Sequence, residues 1–298
     1  MALLWLSSVH AQTGGAGGAF LQLGIGSRAV GMGSAFTGVA DDAAAVYWNP
    51  AGVGLAHEAT HQGMVMYRAM SLDRRQAVMA YRQHLSDAGG GIGAALIHVG
   101  VDDIDGRDLN GQPTGRLSDS ENAVLFAFSP AVHPRVSVGL TMKLLFYRLA
   151  GQSAKGFGGD VGLMVRPVDP LRVGLVFRDI GTRVTWNTTG LFPRSVQRKE
   201  TWPRTLAFGV SYALLQRRLL VAADVEKPWP QDTRVRIGAE CAVAPGITVR
   251  AGANDGHAAA GTSIVTNLWA ARVRLHYGFL TDRLGGGETH VIEWEIGF

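Results

Sequence analysis

From about Gln62 onward the chain alternates apolar and polar residues with period two, the pattern of strands that show one face to an apolar medium and the other to a polar one. In 135–148, Val136, Val138, Leu140, Met142, Leu144 and Phe146 face one way and Ser137, Gly139, Thr141 and Lys143 the other, with Leu145 and Tyr147 breaking the order at the end. In 233–243, Val235, Ile237, Ala239 and Cys241 oppose Arg234, Arg236, Gly238 and Glu240, so every charge lies on one face. The same division separates Ile247, Val249 and Ala251 from Thr248, Arg250 and Gly252, and Ala271, Val273, Leu275, Tyr277 and Phe279 from Arg272, Arg274, His276 and Gly278. In the last segment His290, Ile292, Trp294, Ile296 and Phe298 oppose Val291, Glu293, Glu295 and Gly297.

Extending this reading predicts strands over 62–70, 75–85, 90–101, 119–129, 135–148, 157–167, 171–180, 203–214, 217–227, 233–243, 246–254, 258–267, 269–280 and 288–298. That makes about fourteen, an even number suited to a closed membrane barrel. The connections alternate between tight turns (167–170, 214–216, 244–245, 267–268) and two long ones, 102–118 and 181–202, rich in Gly, Asp, Asn, Thr and Arg. A β-sandwich or a lipocalin-like barrel also alternates, but short turns on one side and long loops on the other are the habit of membrane barrels. Closure is required in lipid, where unpaired edge amides and carbonyls find no partner. The predicted architecture is all-β: a single transmembrane antiparallel barrel of about fourteen strands over 57–298, preceded by a short helical plug over 12–56.

The polar face includes Lys143, Asp160, Arg166, Arg172, Arg178, Asp224, Glu226, Arg234, Arg236, Glu240, Arg250, Arg272, Arg274, Glu293 and Glu295, both signs mixed. It reads as a wet, cross-linked lumen rather than a greasy tunnel. Composition agrees with a barrel. The 298 residues are 47% hydrophobic and 17% charged with 40 glycines, too apolar for disorder and too glycine-rich for a helical bundle. Frequent glycine fits bent, closely paired strands. No run of about 18 apolar residues predicts a membrane helix, while a mean hydropathy of +0.10 is what half-apolar strands give. One cysteine, Cys241, excludes an internal disulfide and a cysteine-based zinc or redox framework. A net charge of +4 without a basic run offers no nucleic-acid face.

At the amino end, Ala2-Leu3-Leu4-Trp5-Leu6 followed by Ser7-Ser8-Val9-His10-Ala11 has the form of a secretory signal cleaved after Ala11 but lacking its basic start, so 1–11 reads as a truncated signal peptide. Residues 20–56 carry no strand period. Asp41 is positioned as N-cap of a helix over 42–48 that Asn49-Pro50 ends, and Gly31, Gly33 and Gly38 permit close packing of a second short helix.

The run Gly26-Ser27-Arg28-Ala29-Val30-Gly31-Met32-Gly33, through Ala40-Asp41-Asp42 to Trp48-Asn49-Pro50-Ala51-Gly52, resembles the amino-terminal signature of the PorV/PorQ family, within the wider FadL-like outer-membrane barrels. Phe177-Arg178-Asp179-Ile180-Gly181 and Pro203-Arg204-Thr205-Leu206 are similar to the middle of such proteins. The resemblance implies a fourteen-stranded barrel in the outer membrane of a Gram-negative-type bacterium, with its amino-terminal segment packed inside as a plug. Gly26, Arg28, Gly31, Met32, Gly33, Asp41, Asp42, Trp48, Asn49, Pro50 and Gly52 are then the plug motif. Known relatives include a type IX secretion component that receives exported cargo, and transporters of long-chain fatty acids. The charged lumen leans toward the secretion-associated branch, with a hydrophobic-solute channel as the alternative. Implied partners are outer-membrane lipid, the barrel-assembly machinery, and a secreted cargo protein or secretion-system components. Trp294, Ile296 and the terminal Phe298 resemble the carboxy-terminal signal read by that machinery.

No enzymatic role, cofactor or metal is expected. His57-Glu58-Ala59-Thr60-His61 matches HExxH, but Pro50, Gly52 and Gly54 before it and strand-like Met64-Val65-Met66-Tyr67 after it leave no room for the helix that zinc ligation needs. The spacing of Gly24, Gly26, Gly31 and Gly33 is not GxGxxG, and Asp41-Asp42 is better explained as a helix start than as catalytic carboxylates.

Overall fold

The computed structural model describes residues 17–55, 59–85, 89–187, 198–281 and 288–298. The strands are β1 (His61–Ala69), β2 (Arg75–His84), β3 (Gly90–Arg107), β4 (Pro113–His133), β5 (Val136–Leu149), β6 (Gln152–Val168), β7 (Leu171–Asn187), β8 (Arg198–Thr201), β9 (Thr205–Leu214), β10 (Leu219–Pro228), β11 (Arg234–Ala244), β12 (Ile247–Asn254), β13 (His257–Leu268), β14 (Ala271–Thr281) and β15 (Glu288–Gly297). Apart from β8, which pairs with β7 alone, each strand pairs antiparallel with the next around the ring, and β1 with β15 closes the sheet. β7 is shared: Leu171 to Arg178 pair with β9, and Arg183 to Trp186 with the four-residue β8. With β8 standing above β9, fourteen strands form the ring.

The alternation works as the residue pattern requires. On β15, Val291, Glu293, Glu295 and Gly297 point inward and are buried, whereas Ile292, Trp294, Ile296 and Phe298 are exposed on the outer wall. Val65, Met79, Leu140, Met142, Val235 and Ile237 continue that apolar outer surface around the ring, a continuous patch of a kind that water-facing surfaces do not carry. At the closing seam, the His61 and Phe298 amides each donate to the other's carbonyl, at 2.9 and 3.0 Å, and their rings stack 5.1 Å apart.

Two features differ from the sequence expectation. The connection 102–118 is largely strand: β3 and β4 run on as a hairpin past a bulge at Val101/Ile104, where Asp103 has φ 58°. Residues 111–118 are exposed on both faces, so no alternation marks them. Of 181–202, β7 and β8 take both ends, and 188–197 lie outside the described residues.

The lumen is the second correction, for it is filled by chain. Residues 17–55 run through it, and from 29 to 53 every residue except Asp41 is buried. Ser27–Gly31 forms α1 and Ala45–Trp48 forms α2, with 3-10 turns at Leu21–Leu23 and Pro50–Gly54. Met32, Phe36 and Trp48, each at most 2% exposed, are its large apolar contributions, each worth about 2–3 kcal/mol of burial.

Candidate functional site

The inward wall carries glycine in cross-strand pairs: Gly139 opposite Gly162, Gly174 opposite Gly209, Gly238 opposite Gly252, and Gly261 opposite Gly278. Each pair receives backbone of the inner segment. A Cβ at Gly139 would meet Pro50 at 2.3 Å, at Gly174 the Thr37 carbonyl at 2.2 Å, at Gly238 the Met32 carbonyl at 2.3 Å, and at Gly278 the Ser27 carbonyl at 2.8 Å. These glycines clear a track along the wall, a role more specific than strand bending.

Charged side chains between the pairs hold the segment electrostatically. Arg28 donates from Nε and Nη2 to Glu240 at 2.8 and 3.0 Å, and from Nη1 to Asp41 at 2.5 Å and Asp42 at 3.3 Å. Arg250 adds a 2.6 Å bond to Glu240, and Arg172 a 2.9 Å bond to Asp41. Burial pushes the Asp42 carboxyl up to about 6, against the downward pull of Arg28. On the other side Glu226 accepts from Arg178 at 2.7 Å and from both Arg236 nitrogens at 2.8 and 2.9 Å. Both guanidinium groups lie over the Trp48 ring, at 5.6 and 5.7 Å, a cation–π arrangement that strengthens when dry. Lys143 binds Asp160 and Asp179, each at 2.8 Å. Asp224 accepts from the Phe36 and Thr37 amides at 2.9 and 2.8 Å.

The residues of the plug motif are thus brought together, though not all in the expected roles. Asp41 is not a helix cap, because its carboxylate is committed to Arg28 and Arg172. Asp42 instead accepts from the Ala44 amide at 2.9 Å, and α2 begins only at Ala45. Asn49 does end α2 and caps the following turn, accepting from Ala51 at 3.1 Å with Pro50 next in line. Gly26 and Gly33 have φ 87° and 62°. Gly52 lies so close to the Ala40 carbonyl that a Cβ there would stand 1.8 Å from it.

At one end of the barrel Phe20 makes edge contacts with Tyr147 and Trp202 at 5.5 and 6.2 Å, and Tyr147 reaches Trp186 at 5.9 Å. The interruption by Leu145 and Tyr147 in the β5 pattern is the sequence trace of this cluster: both turn inward to meet the inner segment. Tyr147 also borders a mostly polar cavity of about 510 Å³ at that end, most of whose lining lies on the outward face: His98, Asn122, Phe146 and Lys155 are successive cross-strand neighbours there. A cavity of about 40 Å³ lies against Leu21, Tyr47, Trp202 and Arg178. The Tyr147 hydroxyl and the Trp202 indole N–H are buried donors without a partner among the described residues.

His61 starts a strand and its Nδ1 lies 2.7 Å from the Tyr81 hydroxyl, so it does not belong to a zinc-binding helix; His57 and Glu58 lie outside the described residues. The proposed signal 1–11 lies outside them as well.

No family model and no curated protein matches the chain. Solved structures do. The toluene transporter TbuX of Ralstonia pickettii superposes with a TM-score of 0.65 at 16% identity over 92% of this chain and 98% of that one. A mutant of the TodX monoaromatic hydrocarbon channel gives 0.61 at 15%, over 92% and 97%. A FadL homologue of Pseudomonas aeruginosa gives 0.60 at 12%, over 90% and 97%. The fold is therefore a closed fourteen-stranded antiparallel barrel like those of FadL-type outer-membrane proteins.

Proposed function

We propose that this chain is an outer-membrane channel for hydrophobic solutes, entered from the aromatic end and closed by residues 17–55 acting as a plug. The observation that carries this reading is the aromatic cluster of Phe20, Tyr147, Trp186 and Trp202 where the inner segment meets the barrel wall at one end of the lumen. Similar folds belong to a toluene transporter and a monoaromatic hydrocarbon channel. The unpartnered Tyr147 hydroxyl and Trp202 N–H favour a solute that adds an acceptor oxygen to its apolar body, of the fatty-acid kind, because a buried donor left unpaired costs about 1–3 kcal/mol.

The charged lumen had favoured the secretion-associated PorV/PorQ branch. Those charges are spent on ion pairs that hold the inner segment, so they no longer recommend a cargo-binding role over a channel. Lipid around the apolar wall and the barrel-assembly machinery at the last strand complete the proposed partners.

Titrating laurate and toluene into the purified barrel while following tryptophan fluorescence tests the reading. Saturable quenching by laurate that Trp202→Phe weakens is the expected result. Saturation by toluene alone would remove the acceptor-oxygen element, and linear partitioning of both would remove the channel reading.

A further inference from the structure

His276 on β14 and Glu293 on β15 are cross-strand partners, and Glu295 lies two residues further along the same inward face, opposite Arg274. All three are buried, at 1%, 2% and 3% exposure, and one ligand atom from each lies within 4.8 Å of the others. In the sequence they belong to two strands, with no motif spacing that marks a metal site.

Their hydrogen bonding is incomplete in a particular way. Neither His276 ring nitrogen has a hydrogen-bond partner although both are shut off from solvent, and Nε2 stops 3.6 Å from Glu295. Glu295 binds Arg274 through one oxygen at 2.5 Å. Glu293 accepts the Ser27 amide at 2.5 Å, while Arg250, the cation whose charge it feels, donates instead to Glu240 and Ser263. A buried imidazole with both nitrogens idle, beside a buried carboxylate held by a backbone amide, is costly as it stands.

We infer that His276, Glu293 and Glu295 form a lumenal site for a divalent transition-metal ion of the zinc class. One imidazole nitrogen and two carboxylate oxygens are the donors such ions take. Binding would draw the ligand atoms in from a 4.8 Å spread to the roughly 3.4 Å separation that tetrahedral bonds of about 2.0–2.2 Å impose. Bound there, the ion would balance Glu293, occupy His276, and tie β14 to β15 directly beneath the start of α1. The Ser27 amide then acts as an orienting contact, since it fixes the Glu293 carboxylate.

Because the site is enclosed, the test loads it during folding. The full chain is refolded into detergent with Zn²⁺, desalted, and its zinc content measured beside heat-modifiability on gels. One retained equivalent is expected, lost in His276→Ala and Glu293→Gln and kept in His57→Ala and His61→Ala. No retained zinc in the folded wild type, retention in both lumen variants, or loss through His57 or His61 instead would overturn the inference. Should the lumen variants not fold, X-ray absorption of the zinc-loaded wild type decides. A first shell of oxygen with a single imidazole supports the site, and a shell with none or two overturns it.

Discussion

Gly238 on β11 and Gly252 on β12 stand directly opposite each other, and the backbone of Met32 rests in the hollow they leave. A Cβ on Gly238 would meet the Met32 carbonyl oxygen at 2.3 Å and one on Gly252 its carbonyl carbon at 2.4 Å. The obstacle is backbone on both sides, so neither can yield by a rotamer change. Gly238→Ala or Gly252→Ala should each destabilise the assembled protein by about 1–3 kcal/mol, read as a lower midpoint of urea unfolding in detergent. Ala239→Gly, on the outward face next to Gly238, should move that midpoint far less.

Arg28 is the one cation of the inner segment that faces three carboxylates at once, Glu240, Asp41 and Asp42. Arg28→Met leaves that cluster short of a cation and should cost about 3–5 kcal/mol. Arg28→Lys should recover little, since one ammonium cannot reproduce the two-pronged contact with Glu240. If the segment is what closes the barrel, the variant should also raise conductance across planar bilayers. Unchanged conductance with lowered stability would separate holding from sealing.

How much of this was visible beforehand depends on what each face touches. Strands such as β11 and β15 are lipid-apolar on one side and ionic on the other, so Val235 against Arg236 and Trp294 against Glu295 announce them directly. The hairpin beyond Val101 sees solvent on both sides and loses the signal. Leu145 and Tyr147 break the alternation because protein fills the lumen there: Leu145 joins the buried core and Tyr147 meets Phe20. Gly139, Gly238, Gly252 and Gly278 stand on the polar face of the alternation. That they pair across strands, and so make room for another backbone, depends on register, which alternation alone leaves open.

Asp42 supplies a pH signature. Its carboxyl is held up near 6 by burial, above the ordinary aspartate value of 3.8, so the folded state prefers it protonated. The stabilisation from this group is fully present below pH 4 and fades as pH rises through about 6. Relative to Asp42→Asn, which cannot ionise, the wild type should lose up to ~3 kcal/mol between pH 4 and pH 7. Paired unfolding curves at the two pH values check this, and a constant difference would show that Arg28 compensates the charge completely.

Phe298 closes the ring twice over, through its two backbone bonds to His61 and through the stacking of the two rings. Removing it deletes the last rung of the β1–β15 ladder and uncovers the His61 amide and carbonyl at the seam. The pairs from Gln62↔Gly297 to Ala69↔His290 remain, so a barrel that has already closed should lose only about 1–2 kcal/mol from the two bonds. A larger effect is expected on the way in, if Trp294, Ile296 and Phe298 form the signal by which the assembly machinery takes hold of the last strand. Deletion of Phe298 should then lower the amount of heat-modifiable barrel in the envelope several-fold, while refolding of the purified chain into detergent changes little. Phe298→Tyr, which keeps the ring and the backbone bonds, should restore assembly. Equal losses in cells and in detergent would assign Phe298 to seam stability alone.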